Sequence, residues 1–217
     1  MSFNEYITNL FPPAILQTLY MIIVPTVLAS IMGFVMAIIL VITKDGGLKP
    51  NKAVNCVLGF VVNVIRSFPF MILIFAMIPL TRLIVGTSIG ETAAIVPITI
   101  GSAPFIARLM ESALDEVDKG LIEAAKSFGA TNTQIIFKVM VKEAMPSIVS
   151  GITLSVISIL SYTAMAGVVG AGGLGNVALT YGYSSFDYNV MTFTVIALVI
   201  IVQIIQGLGD IVYKKIK

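Results

Sequence analysis

The stretch AILQTLYMIIVPTVLASIMGFVMAIILVI, residues 14–42, decides the fold class of this chain. It contains no charged residue, and none occurs between Glu5 and Lys44. A membrane-spanning helix needs about 20 mostly apolar residues, so this stretch is long enough to cross a bilayer. Hydrophobic residues make up 58% of the 217-residue chain, and charged residues only 11%. Such a chain cannot cover itself with polar surface, which predicts an all-α, polytopic membrane protein.

Charged residues divide the remainder of the chain into further apolar regions. The predicted spans are 14–42, 56–80, 85–107, 146–168 and 189–211. The uncharged run from Ala144 to Phe186 is too long for one helix, so its glycine-rich part, 169–187, is predicted to be an outer loop. The other long connection is the charged segment 111–145. The chain is therefore predicted to be one transmembrane domain with five helices.

Basic residues predict the orientation, because lysine and arginine prefer the cytoplasmic side of a membrane. All of the 13 basic residues except Arg66 and Arg82 follow the first, third or fifth predicted span. This places the N-terminus outside, and the C-terminus and segment 111–145 in the cytoplasm.

Composition also disfavours several kinds of chemistry. The chain has no histidine and a single cysteine, Cys56, which argues against a metal site, a Ser-His or Cys-His nucleophile and an internal disulfide. A net charge of +2 is too small to suggest binding to nucleic acid.

Small residues recur every four positions on two of the predicted spans. They are Ala29, Gly33 and Ala37 on the first, and Ser147, Gly151 and Ser155 on the fourth. Small residues let helix backbones approach closely in lipid. These positions are predicted to be helix contacts, either within the chain or across a dimer.

A short patterned segment, Glu123-Ala124-Ala125-Lys126-Ser127-Phe128-Gly129, lies within the charged connection. An apolar stripe at i, i+3, i+4 and i+7 predicts an amphipathic helix; it comprises Leu121, Ala124, Ala125 and Phe128. Gly129 is suited to end that helix in the left-handed conformation. Thr131 with Gln134 predicts a capping box that starts a second helix, whose apolar face would carry Ile135, Ile136, Val139 and Met140. An alternative is an interfacial hairpin that lies on lipid.

The same segment resembles the Glu-Ala-Ala loop of permease subunits of bacterial ABC importers, which docks on the ATPase. The resemblance implies ATPase-coupling roles for Glu123, Ala124, Ala125 and Gly129. The family pattern closes with Ile-x-Leu-Pro, whereas this chain has Val139-Met140-Val141-Lys142. Lysine continues a helix that proline would stop, so the second helix is expected to run further, toward Ala144.

Other segments resemble the permease subunits of bacterial methionine importers, which have the type I importer fold. They are residues 78–90, 94–97, 103–108, 170–175 and 181–183. The resemblance implies a multi-pass subunit of the bacterial cytoplasmic membrane that imports L-methionine, and possibly D-methionine, by alternating access. Its implied partners are a second copy of itself, a cytoplasmic ABC ATPase dimer, an external methionine-binding lipoprotein and membrane lipid.

The resemblance also implies that this chain is no enzyme. It would have no catalytic residue and no cofactor of its own, with ATP and magnesium bound by the ATPase. A permease for another amino acid is the alternative.

The predicted translocation path rests on polar residues inside apolar regions. Ser161, Tyr162, Thr163 and Met165 form one such run on the fourth span, for which helix packing is the alternative. An arginine near mid-bilayer costs several kcal/mol unless it is hydrated or paired, so Arg66 predicts a water-lined path. Alternatively, the second span begins near Arg66 and its guanidinium reaches the headgroups.

Two further sequence motifs suggest other functions, and both are rejected. The segment Gly170 to Gly175 satisfies G-x-G-x-x-G, but it lacks the strand and helix context of a dinucleotide site. The segment Gly207 to Asp210 matches the Gly-x-Gly-Asp of intramembrane aspartyl proteases, which need two neighbouring aspartates. The other candidate, Asp187, would lie roughly 34 Å away along one helix. Asp210 is expected to pair with Lys214 instead.

Overall fold

The computed structural model describes residues 6–217, which form helices joined by short connections. In chain order the helices are α1 (Phe11–Thr43), α2 (Lys52–Ser67), α3 (Phe70–Ala76), α4 (Ile78–Val85), α5 (Glu91–Asp115), α6 (Lys119–Ser127), α7 (132–143), α8 (Met145–Val168), α9 (Gly173–Val177) and α10 (Tyr188–Ile216). Wider π-helical turns precede α1, form the middle of α7 and follow α9; they are Tyr6–Leu10, Ile135–Met140 and Ala178–Ser184. No strand occurs among residues 6–217, which confirms the predicted all-α class.

Four helices, α1, α5, α8 and α10, are long and apolar enough to cross a membrane, and α2 with α3 makes a fifth candidate if the bent pair counts as one span. Helix α5 begins at Glu91 rather than at residue 85, where the third span was predicted to start. The reason is local. Gly86 ends α4 in the left-handed conformation, with φ of 84°.

The second predicted span, 56–80, is not one helix. Helix α2 ends at Ser67, and α3 begins at Phe70 with its axis turned by 105°. Pro69 lies between them and cannot donate a helical hydrogen bond, and its ring crowds the preceding turn. A further break at Met77 separates α3 from α4. Hydropathy detected the apolar run but not its change of direction.

The core is built on close packing of α1 against α5. Ala29, Gly33 and Ala37 are all buried. A Cβ atom on Gly33 would lie 2.8 Å from Ile106 Cγ2 and 3.0 Å from the Ala103 carbonyl oxygen. Glycine is therefore required for the two backbones to approach. For this stripe, the structure confirms a contact within the chain.

The segment predicted as a glycine-rich outer loop, 169–187, is mostly helical. It forms a turn, α9 and the π-helical turn Ala178–Ser184. Cβ atoms on Gly167 or Gly175 would overlap the backbone of the facing segment, so these glycines let α9 pack directly on α8. Glycines that suggested a loop in the sequence instead permit a compact corner, called here the glycine end of the bundle.

Side chains of α1 hold this corner in place. Gln17 Oε1 accepts a hydrogen bond from the Gly173 N–H at 2.8 Å, and Thr18 Oγ1 accepts one from the Leu174 N–H at 2.9 Å. The first N–H groups of a helix have no partner within that helix. Helix α9 is therefore capped by a helix 156 residues earlier in the chain.

Candidate functional site

The first candidate site is a hairpin formed by α6 and α7, residues 119–143, called here the EAA hairpin. Gly129 joins the helices with φ of 78°, which confirms the predicted left-handed glycine. Thr131 Oγ1 accepts from the Gln134 N–H at 3.3 Å, and Gln134 Oε1 accepts from the Thr131 N–H at 2.9 Å. The predicted capping box is confirmed. These local hydrogen bonds cap the first turn of α7.

Helix α6 turns an apolar side away from the rest of the chain. Phe128 is 91% exposed and Leu121 is 45% exposed, and Ala124 is exposed beside them. The helix contacts the core through Ile122 and Ala125. An apolar surface at the end of a charged hairpin is suited to bind another protein.

The four predicted coupling residues do not share one surface. Glu123, Ala124 and Gly129 are exposed, whereas Ala125 packs partly buried against the core. Sequence reasoning placed Phe128 on the apolar stripe but did not choose it as a site residue. Its position one residue before the helix-ending glycine was the available signal.

Helix α7 packs against the core, whereas much of α6 is exposed. Ile135 and Met140 on its inner side are buried. The helix continues to Glu143, and α8 begins at Met145, which agrees with the expectation that α7 runs toward Ala144. The Ile148 N–H donates to the Ala144 carbonyl at 2.9 Å. The hairpin is thus joined to α8 with almost no flexible connection.

The predicted path residues of α8 face different directions. Ser161 and Met165, one turn apart, are both exposed. Thr163 is 2% exposed, and its hydroxyl donates to the Leu160 carbonyl at 2.7 Å. Its side chain is therefore satisfied within its own helix and hidden in this conformation.

Arg66 and Tyr162 line one cleft, although they are 96 positions apart in the sequence. The Tyr162 ring stacks on Phe70 with centroids 4.2 Å apart. The cleft has a volume of about 160 Å³, and Phe68 and Phe105 also line it. A guanidinium beside aromatic rings offers a partner for a carboxylate and contacts for an apolar or sulfur-containing group.

Asp187 and Asp210, the two aspartates considered for an intramembrane protease, lie at opposite ends of α10. Asp187 caps its first turn, accepting hydrogen bonds from the N–H groups of Asn189 and Val190 at 3.1 and 3.2 Å. Asp210 accepts from Gln206 Nε2 at 3.4 Å and, among the ion pairs of residues 6–217, has none with Lys214. The expected pairing with Lys214 is wrong for this structure, in which Gln206, one turn earlier, donates to the Asp210 carboxylate instead. Because Asp187 and Asp210 lie at opposite ends of α10, they cannot form a protease dyad within the chain.

A sequence profile described as binding-protein-dependent transport system inner membrane component matches residues 29–217. The chain belongs to this family. It is a multi-pass permease subunit of the bacterial inner membrane and does not carry the ATPase.

Two relatives and one solved structure are similar over most or all of the chain. The probable D-methionine transport system permease of Vibrio cholerae is 49% identical, covering all of this chain and 99% of the relative. The methionine import system permease of Bacillus subtilis is 51% identical, covering 80% of this chain and 78% of the relative. A structure of the MetNI methionine ABC transporter in inward-facing conformations superposes with a TM-score of 0.96 at 41% identity, covering all of both chains.

Proposed function

We propose that this permease imports methionine in an ATP-driven complex. It would work as two copies, with a cytoplasmic ATPase dimer that binds ATP and magnesium and an external methionine-binding lipoprotein. The observation that carries the proposal is likeness over the full length, at 49% identity, to a probable D-methionine permease.

The EAA hairpin supplies the coupling element. Phe128 and Leu121 present exposed apolar surface, with Glu123 and Ala124 beside them. When the two ATPases close, the groove on each ATPase that holds this apolar surface would move α6. Because α7 passes into α8 at Ala144, movement of the hairpin is transmitted to a helix that lines the path. The two permease copies would then rotate between outward-open and inward-open states.

The path would run along the exposed side of α8. Ser161 and Met165 lie on this side, and the cleft of Arg66 and Tyr162 lies next to it. Arg66 would attract the substrate carboxylate, and the rings beside it would contact the thioether. Thr163, also predicted for the path, would contribute packing within the chain in the conformation described.

Transport tests the proposal directly. The permease, its ATPase and the binding protein would be reconstituted in vesicles with labelled methionine outside. We expect accumulation only with ATP, and competition by unlabelled methionine but not by an unrelated amino acid. Accumulation without ATP would contradict the coupling, and preferential competition by another amino acid would reassign the cargo.

Docking is tested separately with Phe128→Ser. Burying a phenyl group from water contributes about 1.5–3 kcal/mol, so its loss should weaken ATPase binding roughly 10- to 150-fold. The side chain is 91% exposed, and the free permease should keep its stability. The control is Tyr183→Ser, which removes a 68% exposed ring at the glycine end. Equal retention of the ATPase by both variants would exclude this surface as the docking site.

A further inference from the structure

A second cavity lies at the glycine end, between α3, α4, the start of α5 and the turn that follows α8. Its volume is about 380 Å³, and it is called here the outer chamber. Most of its wall is apolar, formed by side chains such as Phe75, Ile78 and Ile89. The N–H of Gly90, which also lines the chamber, donates to the Gly170 carbonyl at 3.0 Å. This hydrogen bond ties the start of α5 to the corner at the glycine end.

The outer chamber and the cleft of Arg66 lie on the same side of α5. Ala94 and Pro97 line the chamber, and Gly101 and Phe105 line the cleft. Residues spaced by three or four positions share one side of a helix. The chamber and the cleft therefore follow each other along one groove, with midpoints about 14 Å apart along the axis of α5.

Tyr162 lies between the outer chamber and Arg66. Helix α8 runs antiparallel to α5, and a Cβ atom on Gly151 would lie 3.3 Å from Leu109 Cβ. Together with the hydrogen bond at the glycine end, this contact fixes the register and places Tyr162 level with Ile98 of α5. The stack of the Tyr162 ring on α3 therefore lies across the groove, between the two cavities.

Thr81 brings a hydroxyl without a partner into the outer chamber. The residue lines the chamber and is 4% exposed, and within residues 6–217 no hydrogen bond joins its hydroxyl to another group. A buried hydroxyl without a partner is costly, so an occupant is expected to supply a polar atom. Water can do so in the empty chamber. A lipid acyl chain has no such atom, whereas a thioether sulfur accepts a hydrogen bond, although weakly.

Two charged residues adjoin the outer chamber. Arg82 is, with Arg66, one of the two basic residues that do not follow the first, third or fifth predicted span. Its Nε donates at 3.2 Å to Ser88 Oγ, and Ser88 lines the chamber. Glu91 directly follows the lining residue Gly90. Among the ion pairs of residues 6–217, none includes Arg82 or Glu91, so both charges are available to a ligand.

We propose that the outer chamber is a second substrate site, which an amino acid with a long apolar side chain occupies before it reaches Arg66. The side chain lies in the chamber, Arg82 binds the carboxylate, and Glu91 attracts the ammonium group. Both sites then offer a guanidinium beside an apolar cavity. The ring stack of Tyr162 separates them until α8 moves.

The second site rests on the proposed function, because its place in the path follows from the EAA hairpin. Helix α6 begins at Lys119, shortly after the end of α5. The chamber lies at the opposite end of α5, where an external binding protein would release its substrate.

Photolabelling tests whether substrate occupies the chamber. The importer would be reconstituted with its ATPase and binding protein, and supplied with a methionine analogue that carries a diazirine in its side chain. Illumination during ATP-driven transport releases nitrogen and leaves a carbene, which inserts into neighbouring bonds. Mass spectrometry would identify the labelled residues. We expect labels on Phe75, Ile78 or Ile89, and their loss with excess unlabelled methionine.

Uptake of labelled methionine by the same vesicles distinguishes this proposal from the proposed function. Vesicles that accumulate methionine without displaceable label in the chamber would overturn the second site and leave methionine import in place. Label that excess methionine does not displace would overturn it as well, because the probe would only have partitioned into an apolar cavity. Vesicles that accumulate no methionine would contradict import itself, on which the second site rests.

The role of Arg82 is tested with Arg82→Gln and the conservative variant Arg82→Lys. Hydrogen bonds to charged groups are the strong ones, so Arg82→Gln should lower photolabelling of the chamber and transport roughly 10-fold. Arg82→Lys keeps the charge but not the planar pair of donors, and should retain part of both. Labelling of Arg82→Gln at the level of the unmodified importer would overturn the carboxylate contact.

Arg82 is exposed, so contact with the binding protein is the competing role. The binding-protein concentration that gives half-maximal transport would be measured for both variants. We expect it to stay unchanged while the maximal transport rate falls. A higher half-maximal concentration with full transport at saturation would assign Arg82 to docking and overturn its place in the second site.

Discussion

Thr18→Val should destabilise the permease by removing the acceptor that caps α9. Thr18 is 1% exposed, and its Oγ1 accepts the Leu174 N–H at 2.9 Å. Valine has nearly the same shape, so packing is kept while the N–H of a fully buried residue loses its partner. Leaving one buried donor unsatisfied costs about 1–3 kcal/mol.

The expected change can be measured as a thermal midpoint. For a chain of this size, 1 kcal/mol shifts the midpoint by roughly 2–4 °C, so about 2 kcal/mol predicts a fall of about 4–8 °C. The purified importer would be heated in detergent, and the remaining monodisperse fraction measured by size-exclusion chromatography.

A matched control separates the cap from the substitution itself. Thr194 is also buried, at 0% exposure, and its hydroxyl donates to the carbonyl four residues earlier, as that of Thr18 does. Within residues 6–217, no N–H of another helix donates to Thr194 Oγ1. Thr194→Val should therefore leave the midpoint nearly unchanged, and equal shifts in the two variants would refute the reasoning.

Two further predictions concern packing and orientation. Gly175→Ala should lower the thermal midpoint strongly, because the added Cβ would overlap the Ala164 backbone. Gly207→Ala should be tolerated, because open space surrounds that glycine. Similar thermal midpoints for the two variants would contradict the close approach of α9 to α8. With Cys56 replaced by serine, single cysteines at Ser184 and Lys119 should react with an impermeant thiol reagent in intact cells at 184 only; the reverse pattern would overturn the orientation.

Features that depend on neighbours in the chain were predictable from the sequence. The capping box of Thr131 and Gln134 and the left-handed Gly129 involve hydrogen bonds over three or four residues, so the corner of the EAA hairpin was predicted correctly. Helix α1 was predictable because an uncharged apolar stretch of this length is typical of a membrane-spanning helix. In both cases the deciding interactions lie within the segment itself.

Features that depend on distant partners could not be predicted. Hydropathy records how apolar a segment is but not its direction, so the 105° turn before α3 was missed, although Pro69 marked its place. The cleft joins Arg66 to Tyr162 only after α2 and α8 have packed. Burial of Thr163 and exposure of Ser161 depend on which side of α8 meets the bundle. Tertiary packing, and not local preference, decides these points.

The capping of α9 by α1 has a consequence for how the chain is made. Gln17 and Thr18 enter the membrane at the start of synthesis, and the N–H groups that they accept lie 156 residues later. At about 5–20 residues per second, the ribosome needs roughly 8–30 s to reach them. Helix α1 can pack its small residues on α5 well before that, so the corner at the glycine end is completed late. A nascent chain stalled before residue 173 would contain helices α1 to α8 with that end of the bundle still open.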